Sequence, residues 1–162
     1  MANTYTQIYI QIVFATSERV ASVPERHTDR VYRYITGIVQ ESGHKLIAIN
    51  GMPDHVHVLI GYNPSQSLSD LVRDVKCDST KFINDNRLGI GRFAWQEGYG
   101  AFSYARSQLD AVAKYIMNQR DHHRVRSFRD EYVEMLRKFD VAFDDRYLFK
   151  WRDSCPAPDG AD

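Results

Sequence analysis

The sequence predicts an α+β fold in which helices cover an antiparallel sheet. Two patterns support this: segments where apolar and polar residues alternate, as in half-buried strands, and segments where apolar residues recur every three or four positions, as in helices. They occur in the order strand, helix, strand, strand, helix, strand. This βαββαβ order is typical of the ferredoxin-like arrangement, with helices on one face of the sheet. Two extra helical segments follow towards the C-terminus.

The first strand and the first helix have the clearest patterns. In residues 5–14, isoleucine and phenylalanine occupy one face and tyrosine and glutamine the other, which predicts a strand with one buried face. Ser22 and Glu25 then stand at the spacing of a capping box. Apolar residues at helical spacing continue towards Gly43, so a helix is predicted over 24–42.

The next segments complete the predicted sheet. Residues 45–50 and 55–62 are predicted strands joined by a turn. A second helix is predicted over 67–85, and a strand interrupted by glycines lies within 93–104. The two extra helices are then expected from Ser107, capped with Asp110, to about residue 124, and from Ser127 to about Phe139. One face of the sheet is therefore expected to remain free for a functional site.

Composition describes one ordinary globular domain. The chain has 162 residues, 43% of them hydrophobic, with 21 basic and 21 acidic side chains and zero formal net charge. We expect a single domain over residues 1–151 and a disordered tail, rich in Pro, Gly and Asp, over residues 152–162. No apolar run approaches the roughly 18 residues of a membrane span. Taken alone, the zero charge argues against a nucleic-acid partner.

The cysteines and the N-terminus indicate a cytoplasmic protein. Cys77 and Cys155 are too few for a disulfide framework. The N-terminal segment lacks the basic residues and the uninterrupted apolar stretch of a signal peptide. The cytoplasm is therefore the expected location.

The segment His55-Val56-His57 is the strongest local signal of chemistry. On a strand the two histidines point to the same side and Val56 points into the core. Neighbouring imidazoles can hold a metal ion, although two surface histidines would give the same pattern. Leu59 stands where a histidine-triad hydrolase would have its third histidine. Neither histidine is followed two positions later by Ser or Thr, which disfavours a two-histidine phosphoesterase.

A second signal lies on the helix predicted from residue 107. Tyr115 and Gln119 are four positions apart and therefore share one face, with Asn118 and His122 close to it. A tyrosine and an amide placed in this way could supply a nucleophile and an oxygen ligand. The alternative is an amphipathic helix whose tyrosine packs against the sheet.

Taken together, these residues resemble the single-tyrosine HUH transposases of the Insertion Sequence 200/605 type. The resemblance covers residues 4–140 and rests on four blocks in the family's order. They are Gly51-Met52-Pro53-Asp54-His55-Val56-His57, Lys76-x-x-Ser79-x-Lys81, Trp95-Gln96-x-Gly98-Tyr99-Gly100-Ala101-Phe102-Ser103 and Tyr115-Ile116-x-Asn118-Gln119-x-x-His122-His123. Four blocks at the family's spacing are far more specific than any one of them. The expected fold of the family matches the predicted βαββαβ order.

The resemblance implies a mechanism. His55, His57 and Gln119 would hold a divalent cation, Mg²⁺ or Mn²⁺, against the scissile phosphate of single-stranded DNA. Tyr115 would attack phosphorus and form a 5′-phosphotyrosine intermediate with a free 3′-hydroxyl. A free tyrosine has a pKa near 10, so the site must help to deprotonate it, and the sequence does not show which group does so.

The resemblance also implies partners. Members of the family act on imperfect DNA hairpins at the ends of a mobile genetic element. They are typically homodimers in which the tyrosine helix of one subunit can complete the histidine site of the other. Basic side chains near these blocks are the candidate DNA contacts, with solvated helix faces as the alternative: Lys76, Arg73, Lys81, Arg120 and Arg124. The pair Cys77-Asp78 departs from the family pattern and puts contact at that point in doubt.

Other functions remain open at this stage. One is a domesticated relative, or a dimeric nucleic-acid-binding module that has lost cleavage. Another is a replication-initiator or relaxase-like HUH endonuclease. The intact histidines, tyrosine and glutamine argue against the binding module, and the short single domain argues against the initiator. With zero net charge we expect weak non-specific DNA affinity, so selectivity must come from hairpin shape and base contacts.

Overall fold

The sheet has the topology that the sequence predicts. The computed structural model describes residues 3–17, 23–119 and 126–148. Four antiparallel strands form one sheet in the order β2-β3-β1-β4. These strands are β1 (Tyr9–Ala15), β2 (Lys45–Met52), β3 (His55–Gly61) and β4 (Gly100–Tyr104). The central strands β1 and β3 are buried along most of their length, so side chains on either face of them are shielded from water.

Two helices cover one face of the sheet, as predicted. They are α1 (Glu25–Glu41) and α2 (Leu68–Asp85). The alternate residues of β1 and β3 that point to this face join them in the largest apolar core, which includes Ile12, Phe14, Val56, Val58, Ile35, Val72 and Trp95. Helix α2 begins at the expected cap, because the Ser67 hydroxyl accepts a hydrogen bond from the backbone N–H of Asp70.

The opposite face of the sheet carries the C-terminal helices. A short 3₁₀ turn (Arg106–Gln108) leads into α3 (Leu109–Met117), and Ser127 caps α4 (Phe128–Lys138). Helix α3 packs over Ala48 and Leu59 through Leu109 and Ile116. Helix α4 packs over the neighbouring part of the sheet, with Val13, Phe102, Phe128 and Leu136 in contact. The sheet is therefore covered on both sides, and any group between β3 and these two helices is enclosed.

Two glycines allow close approaches of the backbone near His55 and near helix α4. A Cβ atom on Gly51 would lie 2.1 Å from the carbonyl oxygen of His55, so only glycine fits where β2 turns into β3. A Cβ atom on Gly100 would lie 2.7 Å from the ring of Tyr132 on α4. The second glycine thus lets α4 approach the edge strand β4.

Some boundaries differ from the sequence predictions. Within 93–104 only β4 is a strand, and the earlier part makes a single bridge between Thr16 and Trp95. The predicted cap by Ser107 and Asp110 is wrong: the Gln108 side chain accepts from the backbone N–H of Ala105, and α3 begins only at Leu109.

Several predictions fall outside the residues that the structure describes. These are the role of Ser22 in a capping box, the continuation of the tyrosine helix over residues 120–124, and the tail over 152–162. Among the described residues, no helix is long and apolar enough to cross a membrane.

Candidate active site

The two histidines of β3 lie side by side on the face covered by α3 and α4. His55 is 2% exposed and His57 is fully buried, and their ring centroids are 5.1 Å apart. They stand opposite the small residues Ala15 and Val13 of β1, which leaves room for the rings. The predicted shared orientation is confirmed, and the alternative of two surface histidines is wrong.

Hydrogen bonds fix the orientation of both rings. Nδ1 of His55 is 2.7 Å from Oδ1 of Asp54, and Nδ1 of His57 is 2.7 Å from Oε1 of Gln11. Gln11 is held in turn, because its Nε2 donates to the Tyr104 hydroxyl at 2.7 Å. These contacts at Nδ1 direct the Nε2 atom of each ring into the space between the sheet and helices α3 and α4.

Tyr115 on helix α3 and Gln119, two residues after the end of α3, face the same place. Nδ2 of Asn50, on β2, donates to the carbonyl oxygens of Ile116 and Met117 at 3.1 Å each, and so fastens the end of α3 to the sheet. The Tyr115 ring then lies 6.3 Å from the ring of His57, measured between centroids. Oε1 of the buried Gln119 is 3.0 Å from Nε2 of His55.

Glu131 of α4 completes the cluster and was missed by sequence reasoning. Its Oε1 lies 2.8 Å from Nε2 of His57 and 3.8 Å from Nε2 of His55. Its Oε2 accepts a hydrogen bond from the Tyr115 hydroxyl at 2.5 Å. The carboxylate is 2% exposed. One local signal could have revealed it, because Glu131 is an acidic residue on the apolar face that α4 forms with Phe128.

The cluster has the donors that a divalent cation needs. One ligand atom from each of His55, His57 and Glu131 lies within 4.8 Å of the other two, and all three residues are buried. Two imidazole nitrogens and a carboxylate oxygen are common ligands of divalent metal ions. These residues therefore fit a metal ion, although they do not identify which one.

The surroundings of Tyr115 favour its neutral form. Burial raises the pKa of the phenol well above its usual value near 10, and the hydrogen bond and negative charge of Glu131 raise it further. Arg126 and the hydrogen bond to Gln119 act in the opposite direction but do not reverse the shift. At neutral pH the tyrosine is therefore held as a protonated phenol in this conformation.

A solvent-accessible cavity of about 210 Å³ reaches Tyr115 between α3 and α4. Tyr104 and Phe139 form part of its wall, and their rings meet edge to face at 5.5 Å. Arg126 and Lys138 supply basic groups to the lining. Because the histidines are buried and Tyr115 is only partly so, this cavity is a route from solvent towards the cluster.

The predicted DNA contacts on α2 do not lie at this cluster. Lys76 is 4% exposed, and its ammonium donates to the carbonyl oxygens of Gln96 and Gly98 at 2.7 and 2.6 Å. Arg73 and Lys81 are exposed on the helix that covers the other face of the sheet.

The other DNA contacts predicted from the sequence stay predictions. Arg120 and Arg124 lie outside the described residues. Any contact of Arg73, Lys76 or Lys81 with DNA stays a prediction, and it would involve a part of the DNA away from Tyr115.

Comparison with known proteins shows the family to which this chain belongs. Residues 4–119 match the family described as transposase IS200 like. A curated relative, the ISDra2 transposase TnpA of Deinococcus radiodurans, is 24% identical over 120 residues, which cover 71% of this chain and 86% of that protein. The fold and the sequence together define a transposase, a class of DNA strand-transferring enzymes. The chain belongs to the IS200-like transposase family.

Two solved structures share the fold. One is a putative transposase from Deinococcus radiodurans, with a TM-score of 0.57 and 21% identity over 74% of this chain and 95% of that chain. The other is a REP-associated tyrosine transposase bound to a REP hairpin, with a TM-score of 0.58 and 13% identity over 97% of this chain and 98% of that chain. The second similarity extends through the C-terminal helices as well as the sheet.

Proposed function

We propose that this protein cleaves and rejoins single-stranded DNA at hairpin-bearing ends, with Tyr115 as the nucleophile. The observation that carries the proposal is the position of the Tyr115 hydroxyl beside a buried cluster of two histidines, a glutamine and a glutamate. Membership of the transposase family supports strand transfer as the reaction. The hairpin in the related REP-associated structure supports a folded single strand as the substrate.

The reaction exchanges one phosphodiester bond for another. The Tyr115 oxygen attacks phosphorus, and the bond from phosphorus to the 3′-oxygen of the preceding nucleotide breaks. This leaves a 5′-phosphotyrosine on the protein and a 3′-hydroxyl on the released strand. Because the ester conserves the energy of the broken bond, a different 3′-hydroxyl can reverse the step and join new ends without ATP.

The protein's own residues orient the reacting groups. Oε2 of Glu131 accepts the hydrogen bond of the Tyr115 hydroxyl, and the Asn50 anchor fixes the helix that carries Tyr115. His55, His57 and Gln119 would hold a divalent cation, Mg²⁺ or Mn²⁺. When bound, such an ion polarises the scissile phosphate and offsets the charge that develops on it.

The cavity between α3 and α4 supplies an entry path for the scissile phosphate. It opens on Tyr115, and the basic groups of Arg126 and Lys138 lie in its lining. Cations at this position would attract and orient the DNA backbone without reading its sequence. Sequence reasoning did not select Lys138, which becomes a further candidate DNA contact.

Covalent trapping tests the nucleophile. The protein would be incubated with Mn²⁺ and single-stranded oligonucleotides that cover the hairpins flanking its gene, and the products run on a denaturing gel. We expect a protein–DNA adduct that is abolished by Tyr115→Phe and by chelator, but not by Tyr32→Phe on the far face of the sheet. An adduct that persists in Tyr115→Phe would make the nucleophile assignment wrong. Hairpin binding without an adduct would favour the binding-module alternative.

A further inference from the structure

We propose that Glu131 is a protein ligand of the divalent cation and that the same carboxylate positions Tyr115. Added to the two histidines and Gln119, this carboxylate gives a donor set that binds Mn²⁺ in preference to Mg²⁺. This inference rests on the proposed function, and it brings α4 into the active site. The resemblance implied only Gln119 as the third ligand.

The distances support a shared ligand role for Glu131. Its Oε1 faces Nε2 of both histidines, at 2.8 Å from His57 and 3.8 Å from His55. The Nδ1 atoms of the histidines are occupied by Gln11 and Asp54, so the Nε2 atoms are the ones directed at this oxygen. These three atoms are therefore the ones that would hold a cation.

The burial of the Glu131 carboxylate also favours a bound cation. Glu131 is 2% exposed, and a carboxylate removed from water costs several kcal/mol unless a positive charge or strong hydrogen bonds compensate. A divalent cation between the carboxylate and the imidazoles supplies a strong local counter-charge.

The other oxygen of Glu131 links the cation to the nucleophile. Oε2 accepts the hydrogen bond from the Tyr115 hydroxyl at 2.5 Å, while Oε1 faces the histidines. One carboxylate therefore sets the distance between the ion and the attacking oxygen. Glu131 is a positioning residue for Tyr115 as well as a ligand.

The donor types determine the ion preference. Mg²⁺ favours oxygen ligands in strict octahedral geometry and retains several waters, whereas an imidazole nitrogen is a softer donor that suits transition-metal ions better. Two imidazole nitrogens among the protein ligands therefore favour Mn²⁺. We expect the dissociation constant for Mn²⁺ to be at least about tenfold lower than that for Mg²⁺.

Calorimetric titration of the full chain without DNA tests the ligand role. We expect Glu131→Gln to weaken Mn²⁺ binding by about 10- to 100-fold, as His57→Gln should. Glu134→Gln is the matched control, because Glu134 lies one turn further along α4 with an exposed side chain and should leave the affinity unchanged. At saturating Mn²⁺, Glu131→Gln should still form the adduct at least about tenfold more slowly, because Tyr115 is no longer positioned.

A measurement on the wild-type protein avoids dependence on a variant that fails to fold. In NMR spectra, substoichiometric Mn²⁺ should broaden the signals of Glu131, His55 and His57 before those of Glu134.

Unchanged Mn²⁺ affinity in Glu131→Gln, with weakened binding in His57→Gln, would overturn the inference and leave the proposed function intact. Equal affinities for Mn²⁺ and Mg²⁺ would overturn the ion preference. A wild-type protein that binds neither ion would overturn the inference, and the adduct gel would then decide whether cleavage by Tyr115 stands.

Discussion

Tyr115 is the side chain whose protonation state matters most, and its surroundings hold it neutral. Burial and the Glu131 carboxylate raise the pKa of its phenol, so the folded state binds the phenolic proton more tightly than the unfolded chain does. The contribution of this proton to stability is therefore fully present below pH 10 and is lost as the pH rises above that value.

NMR of protein labelled at tyrosine Cζ can follow this titration in metal-free buffer. The signal that disappears in Tyr115→Phe should show no ionisation up to at least about pH 10, the usual pKa of a free tyrosine. In Glu131→Gln the Tyr115 transition should shift to lower pH, because the neighbouring negative charge is gone. Ionisation of Tyr115 below pH 9 in the wild-type protein would contradict the structure.

Lys76 illustrates how burial changes the expected role of a basic residue. Its ammonium holds the carbonyl oxygens of Gln96 and Gly98 under the loop before β4. Substitution Lys76→Met would leave both oxygens without this donor, so we expect the free energy of unfolding in urea to fall by about 2–4 kcal/mol. Lys81→Met, exposed on the same helix, should change it by less than about 0.5 kcal/mol. A stable Lys76→Met protein with weakened DNA binding would restore the role predicted from the sequence.

At the level of elements, the docking of α3 on β2 decides where the nucleophile lies. The helix has only nine residues, too few to be stable alone, so it depends on tertiary contacts. The Asn50 side chain provides two of these by binding carbonyl oxygens in the last turn. A polar residue in the strand beside the histidines thus orients the tyrosine.

Substitution Asn50→Ala should loosen the tyrosine helix. We expect a loss of about 1–2 kcal/mol in unfolding free energy, faster hydrogen exchange over residues 109–117, and slower adduct formation. Asn84→Ala is the control, since Asn84 makes two hydrogen bonds with the backbone of Phe93 on the opposite side of the sheet. That variant should lose similar stability without faster exchange in α3. Equal exchange rates in both variants would show that α3 is held by its apolar face alone.

Element types were predicted well where local patterns are strong. The alternation in β1 and the helical spacing in α2 reflect a single buried face, which a short window of sequence records. Boundaries were less predictable around Trp95 and Ser107. There the backbone follows long-range contacts, such as the bridge between Thr16 and Trp95, that no local window contains.

At the level of the whole molecule, one chain brings together every residue of the proposed site. Tyr115 lies against His57 of its own chain, and Glu131 of the same chain joins the two. The homodimer implied by the resemblance stays a prediction, and within this one chain the tyrosine and the histidines lie in one cluster. Cleavage in cis is the prediction that follows from this arrangement.

Mixing two inactive variants distinguishes cis from trans assembly. His57→Gln lacks a metal ligand and Tyr115→Phe lacks the nucleophile, so neither should form the DNA adduct alone. If each chain assembles its own site, the mixture should also be inactive, even after the proteins are denatured and refolded together. If helices exchange between subunits, the mixture should recover up to about a quarter to a half of the wild-type adduct. Such recovery would contradict the cis arrangement.

The sequence by itself determined the strand that aligns His55 with His57, the helix that carries Tyr115, and the βαββαβ order that brings them to one sheet. These follow from periods of two and 3.6 residues, which are local properties of the chain. Only the tertiary structure decided that Glu131, 74 positions after His57, joins the cluster and that Lys76 is buried away from it. The physical reason is that helix packing, and not local pattern, determines which buried face of α4 meets which strand. A carboxylate on an amphipathic helix acquires its partners only when that helix docks.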